Sequence, residues 1–437
     1  MVSDKTINPH AMTMSFRLFL VCSFFLLGRP QDILNFLQPM RPALVLTVLA
    51  MAAIVFGGRR QELWAALSTS ESKRYLLFYL IMILGIPFAY HRTVAFEGVF
   101  QSYIVNVLFF VLLVSQVTSL QRLKSLVWVV CLSTLMYSVF GGLLQSGDSD
   151  GIRFRILGNV FDPNDTAYVL VSLFPLCLYF VRFDEGPFKK LVAVAAICGA
   201  IATILLTGSR GGILGLGTIL LILLLTKTGE VKKSHKMLLI VMLASTWLLM
   251  RDKIDVERYM TLSDVSSDYN VTSEGGRIEL WRSAIDFTLA NPITGVGVEC
   301  FPFAHFRTRQ LAAESLLKWQ YTHNSFLQVA AEVGLIGFAI YVLITLRSFF
   351  TFLRMSRIQL QPESREVGEM SSLGGLMLLG FSGLLVSGFF LSQAYSIFCT
   401  LYFALAAVMG RIEAELSADI GSRSFEGRTE GGVKVSV

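Results

Sequence analysis

The sequence predicts an all-α, polytopic membrane protein of about twelve transmembrane helices, at the roughly twenty apolar residues each crossing needs. Three observations carry that prediction. Hydrophobic residues make up 54% of the 437-residue chain and charged residues only 16%, against roughly 25% in a soluble domain. Leu, Val, Ile and Phe recur in long blocks from near the N-terminus to Gly410. The cations gather in short connectors between those blocks. A soluble fold has no means of covering so many all-apolar helices. A bilayer requires them, because lipid satisfies no backbone hydrogen bonds.

The predicted spans are 12–29, 38–57, 74–90, 98–117, 124–142, 165–182, 190–207, 211–226, 237–250, 322–346, 371–390 and 393–410. The first block lacks a small-residue cleavage signature and runs into Gly28-Arg29-Pro30, so it reads as a retained helix. Orientation follows from the connectors. One alternate set holds Arg59, Arg60, Lys73 and Arg74, then Arg122 and Lys124, then Arg182, Lys189 and Lys190. Lys227, Lys232, Lys233 and Lys236 continue it, followed by Arg347, Arg354, Arg357 and Arg365. The positive-inside rule makes that side cytoplasmic, with both termini on it. The short connectors opposite hold only Arg29, Arg41, Arg92, Arg153, Arg155 and Arg210.

The predicted organisation is thus transmembrane helices over 1–250, a long external segment over 251–321, further helices over 322–410, and a disordered cytoplasmic tail over 411–437. Within the long segment, the spacing predicts a helix over 276–290, with Leu280, Ala284 and the Trp281/Ile285 pair as an apolar stripe. Asn291-Pro292 stops it. Gly295 and Gly297 read as a flexible bend, and the helix as one lying at the membrane interface.

The net charge of +6 is explained by topology and does not point to nucleic acid. Five cysteines (Cys22, Cys131, Cys177, Cys198, Cys399) sit inside apolar blocks, and Cys300 has no evident partner, so neither a disulfide framework nor a CxxC metal site is predicted. The five histidines show no ligand spacing, and the external acids Asp162, Asp165, Asp264 and Asp268 are dispersed. The sequence predicts no metal and no cofactor.

Chemistry is expected at the external face. His323, in Tyr321-Thr322-His323-Asn324-Ser325, stands where the long segment re-enters the membrane. A mostly neutral imidazole at a helix start is suited to general-base work on a hydroxyl; a structural hydrogen bond is the alternative. Glu332 lies nine residues on, on the opposite helix face at about 100° per residue. As an intramembrane carboxylate it reads first as a structural pairing group. Arg210, in Thr207-Gly208-Ser209-Arg210-Gly211-Gly212, precedes a helix whose first N–H groups are open to an anion. Arg277 sits in the first turn of the external helix, and Arg153 and Arg155 precede Asp162-Pro163-Asn164-Asp165. Together these guanidinium groups match a diphosphate; singly, each is also compatible with snorkelling to headgroups.

His323-Asn324-Ser325 with Leu327, Glu332, Gly334 and Gly337, and Gly275-Gly276-Arg277 with Trp281, resemble the O-antigen ligase and polymerase superfamily of bacterial envelope enzymes. Asn291-Pro292, Gly295-Gly297, Gly158 with Asp162-Pro163-Asn164, and Ser209-Arg210-Gly211 fit the same likeness, over roughly 150–345. The resemblance implies a GT-C-like helical bundle in the inner membrane, acting as an inverting glycosyltransferase without nucleotide sugar or metal. It implies an undecaprenyl-diphosphate-linked glycan as donor and, for the ligases, a lipid A–core sugar as acceptor, with membrane lipids around both. His323 matches the family's histidine, and Arg210 and Arg277 its diphosphate-binding arginines, with Arg153 or Arg155 in looser register. Asn324, Trp281 and Glu332 take supporting places. A polymerase, a protein O-oligosaccharyltransferase and a transporter of an amphiphilic anion remain as alternatives.

Overall fold

The computed structural model describes residues 13–143 apart from 59, 162–225 apart from 184, 276–311, 319–358 and 365–430, with isolated positions between 237 and 248. Regular structure among them is helical. In chain order come α1 (Met14–Leu27), α2 (Pro42–Phe56), α3 (Arg60–Ser68) and α4 (Ser70–Gly85). Next are α5 (Arg92–Gln116), α6 (Leu120–Leu143), α7 (Pro163–Arg182), α8 (Pro187–Leu206) and α9 (Arg210–Leu225). The last are α10 (Arg277–Ala290), α11 (Phe301–Leu311), α12 (Ser325–Met355), α13 (Arg365–Gly388) and α14 (Ile397–Glu430).

Among the described residues, eight helices are long and apolar enough to cross a membrane: those containing α2, α5, α6, α7, α8, α12, α13 and the first part of α14. This is a polytopic membrane protein. Helices α1 and α9 are apolar but shorter, and α4 opens on the polar run Ser70-Glu71-Ser72-Lys73-Arg74. The span predicted at 237–250 lies mostly outside the described residues.

Helix α7 is buried on nearly every side, packed by α6, α8, α9 and α13. Its all-round apolar surface is what a central helix needs. By contrast α2 leaves Leu44, Val45, Val48, Leu49 and Phe56 exposed, the signature of a peripheral helix facing lipid. Close approach in the centre depends on small residues, as membrane packing requires. A Cβ on Gly215 would strike the Ser387 hydroxyl and Val171, and one on Gly383 would strike Val171 and Ile219.

Five ion pairs gather at one end of the bundle. Lys124 bridges Glu185 (2.7 Å) and Glu369 (3.1 Å), Lys189 joins Glu185 (3.2 Å), Arg365 joins Glu369 (2.8 Å) and Arg354 joins Glu413 (2.7 Å). The connectors around Lys124, Lys189 and Arg365 therefore meet in space. Helix α14 runs on to Glu430 through the segment whose composition predicts no structure; Glu413, Ala414, Glu415 and Leu416 are strong helix formers.

The other end carries the segment 276–311, and there the bend at Gly295-Gly297 is tied down by backbone hydrogen bonds. Gly334 takes φ 78°, ψ 177° and breaks α12, which leaves backbone groups without helical partners at the level of the bundle. The loop after α10 supplies them. Val296 N–H donates to Ala331 O (2.8 Å), Gly297 N–H to Glu332 O (3.0 Å), and Leu335 N–H to Pro292 O (2.7 Å). Gly295 (φ 65°) lies so close that a Cβ would strike the Glu332 carbonyl, and one on Gly334 would strike Ile293 O. The glycines permit an interlock of two backbones.

Candidate functional site

Helix α10 buries Leu280, Ala284 and Thr288, with Leu280 and Ala284 packed against Ala331 and Phe301. Ile285, expected in the apolar stripe, is instead 47% exposed. Trp281 turns towards the connector between α13 and α14, edge-on to Phe389 at 5.6 Å. Its indole N–H is buried without a hydrogen-bond partner among the described residues.

His323 is built from that same connector. Its backbone is left-handed, at φ 47°, a conformation uncommon for a non-glycine residue. The strain is held by hydrogen bonds. His323 N–H donates to Ser392 Oγ (2.9 Å), Ser392 Oγ lies 2.9 Å from Thr322 Oγ1, and Thr322 Oγ1 donates to Asn324 O (3.2 Å). Because the Thr322 proton is committed to Asn324, the Ser392 hydroxyl is the donor between the two. Asn324 Oδ1 then accepts from Phe326 N–H (2.9 Å) and Leu327 N–H (3.0 Å), capping α12. Ser325 Oγ donates to Leu391 O (2.7 Å) and accepts from Gln393 N–H (3.0 Å). Gln393 reaches onward with its amide, donating to Asp165 Oδ1 (2.8 Å) at the start of α7.

The arginine-bearing elements abut this connector too. Ser209 is buried and caps α9, its Oγ accepting from Gly212 N–H (3.2 Å), while Gly211 O accepts from Ser387 Oγ (3.0 Å). A Cβ at Gly211 would lie 3.5 Å from Phe390. The Arg277 guanidinium lies 5.9 Å from the centre of the same Phe390 ring. Asp162 caps α7, accepting from Asn164 N–H (2.7 Å) and Asp165 N–H (2.9 Å). Residues 387–393 thus gather the N-termini of α7, α9 and α12 and the first turn of α10, with Arg210, Arg277 and His323 among them. Helix N-termini carry partial positive charge, so the region is favourable for an anion even before the guanidinium groups are counted. Arg153 and Arg155 lie outside the described residues.

Burial and the Arg277 charge hold His323 below the ordinary imidazole value, with Asp162 pulling the other way. Both causes favour the neutral imidazole, the form a general base needs. Removing the Arg277 charge relieves one cause of the depression, so Arg277→Gln is expected to move the His323 titration to higher pH. Asp162→Asn, which preserves the helix cap, is expected to move it lower. The rate of diethyl pyrocarbonate modification of His323 against pH, read by mass spectrometry, checks both; shifts in the same direction would refute this account.

Glu332 serves the interlock. It is 1% exposed, and its Oε1 accepts from Phe301 N–H (3.3 Å) at the start of α11. Sequence reasoning missed α11 and the connector residues Ser387, Phe389, Phe390, Ser392 and Gln393. The signal was the polar Ser392-Gln393 pair between two apolar blocks, which by itself reads as an ordinary turn. Among the described residues, no three His, Cys, Asp or Glu side chains come together as metal ligands.

Residues 193–342 match the O-antigen ligase family model. The matched segment contains Arg210, Arg277, Trp281, His323, Asn324 and Glu332; it leaves out Asp162, Ser392 and Gln393. A protein of Haemophilus influenzae described as uncharacterized is 30% identical over 199 residues, which is 43% of this chain and 49% of that protein. The chain spans about half the length of this curated relative.

Proposed function

We propose that this protein transfers O-antigen polysaccharide from undecaprenyl diphosphate to a lipid A–core sugar at the periplasmic face of the bacterial inner membrane. The observation that carries the reading is the convergence on residues 387–393 of Arg277 (5.9 Å from the Phe390 ring), the Arg210 helix start and the His323 backbone. The likeness of 193–342 to the O-antigen ligase model supports the same chemistry. The connectors of the cation-rich end lie in the cytoplasm, with both termini, and about twelve helices form a GT-C-like bundle at the usual twenty residues per crossing.

In this reading the neutral His323 imidazole takes the proton of the acceptor hydroxyl. The hydroxyl oxygen forms its bond to the anomeric carbon from the face opposite the carrier, and the bond to the diphosphate oxygen breaks with its electron pair leaving on the diphosphate. Configuration inverts. Arg210 and Arg277 stabilise the charge that grows on the leaving group, and the sequence resemblance adds Arg153 and Arg155 as further candidates for the diphosphate. Asn324 and Trp281 support the site, and no metal or cofactor takes part. Arg210→Ala is expected to lower transfer by about 10²–10³-fold, as loss of one preorganised donor does elsewhere, with membrane insertion unchanged. Transfer by purified protein from carrier-linked polymer to core glycolipid is the measurement; full activity of Arg210→Ala would sink the diphosphate clamp.

A further inference from the structure

Beside the His323 connector lies a cavity of about 530 Å³, within the roughly 300–1,000 Å³ range of small-ligand sites. Its walls come from the end of α1 and the turn after it, the start of α2, the α5 segment 98–106, Glu299 and residues 393–398. Two features mark it as built for a ligand. First, Arg29 (φ 49°) and Glu299 (φ 60°) both line it in left-handed backbone conformations, and His323 (φ 47°) adjoins it through Ser392 and Gln393. Only one other described non-glycine residue, Arg41, has positive φ, so the strained positions cluster here, as they do at functional sites. Second, Gly98–Tyr103 is π-helical, an irregularity that recurs at functional sites. Gly98 leaves room for Glu299, whose carboxyl carbon would lie 3.3 Å from an added Cβ.

The lining is chemically mixed. Glu299, Gln393, Asn106, Ser102 and Ser396 bring carboxyl, amide and hydroxyl groups, with the Gln393 and Asn106 amide nitrogens held by Asp165 (2.8 Å) and Tyr395 O (2.6 Å) and the Ser396 hydroxyl by Tyr168 (2.9 Å), while Leu26, Ala43, Val105, Ile397 and Phe398 are apolar. Planar amides, a carboxyl and hydroxyls beside aromatic rings satisfy the alternating donors and acceptors of a sugar, and the apolar wall suits a lipid-borne one. The cationic diphosphate groups lie elsewhere: the Arg29 guanidinium is engaged by Asp32. Resting on the transfer reading above, we propose that this cavity seats the sugar of the acceptor glycolipid, with Glu299 and Gln393 recognising its hydroxyls, and delivers one hydroxyl towards His323.

Ser102 is exposed within the lining, whereas five of the six native cysteines are buried and Cys198 is half-buried. Full-length Ser102→Cys protein in nanodiscs can therefore be labelled with a maleimide against the native background. Lipid A–core glycolipid at about ten times its Kd is expected to slow labelling roughly tenfold, the free-site fraction that mass action leaves; undecaprenyl diphosphate is expected to change it less than about twofold. Protection by undecaprenyl diphosphate alone, or none by the glycolipid, overturns the proposal. Binding is read without turnover, so a protein that transfers nothing defeats the transfer reading and leaves this result standing. In the transfer assay, Glu299→Gln is expected to raise the acceptor KM about tenfold, the scale of one hydrogen bond to a charged group, with the donor KM unchanged. A rise confined to the donor KM would contradict it.

Discussion

His323→Asn is expected to reduce glycan transfer by about 10²–10⁴-fold, the usual contribution of a positioned general base. Asparagine is the informative replacement. It tolerates the left-handed backbone that His323 adopts at φ 47°, and it keeps the N–H that donates to Ser392 Oγ at 2.9 Å. The loop should therefore hold its shape while the imidazole is lost. A purely structural histidine would show little loss of rate in this variant, because its backbone contacts survive. The measurement is kcat for transfer at saturating donor and acceptor, with donor affinity determined separately by equilibrium binding. A fall in kcat with unchanged donor affinity supports the base; retained kcat removes His323 from the chemistry.

Gly334→Ala is expected to destabilise the protein by about 4 kcal/mol, combining backbone strain of roughly 1–3 kcal/mol with an unmade buried pair of roughly 1–3 kcal/mol. At φ 78°, ψ 177° the position lies in a region essentially closed to L side chains. The added methyl also meets the carbonyls of Ile293 and Pro292, which are backbone and cannot rotate away. Separating the two segments to relieve the contact breaks the bonds from Val296, Gly297 and Leu335. Gly217→Ala is the control, since nothing lies within 4 Å of its Cβ. Thermal unfolding in detergent should separate the two variants clearly. Equal midpoints would show that the interlock contributes little.

Gly334 also shows why part of the fold was legible and part was not. The membrane class and the spans of α7, α8 and α12 follow from one-dimensional hydropathy, because each crossing must satisfy its own backbone. Helix α10 was legible from its apolar spacing and its stop at Asn291-Pro292. The glycines at 295, 297 and 334 were visible as positions of backbone freedom. Their pairing was not, since it joins segments about forty residues apart through main-chain atoms that leave no residue-type signal.

The candidate site divides in the same way. Arg210 stands out in the sequence because a guanidinium in a short cation-poor turn does no topological work, and His323 and Arg277 because they bracket the long segment between membrane helices. Ser392, Gln393 and Phe390 do not stand out, because serine, glutamine and phenylalanine in a turn between two membrane helices are ordinary there. They gain their meaning from what they touch: the His323 backbone, Asp165 and the Arg277 guanidinium.

By itself, then, the sequence determined that this chain is a polytopic membrane protein. Hydrophobic length and charge placement are local properties, and the bilayer reads them locally. Only the tertiary structure decided that four separate elements meet at residues 387–393, that a glycine-rich bend interlocks with the α12 backbone, and that a cavity lined by strained residues adjoins His323. Those facts depend on contacts between distant segments, which hydropathy and spacing along one chain do not encode.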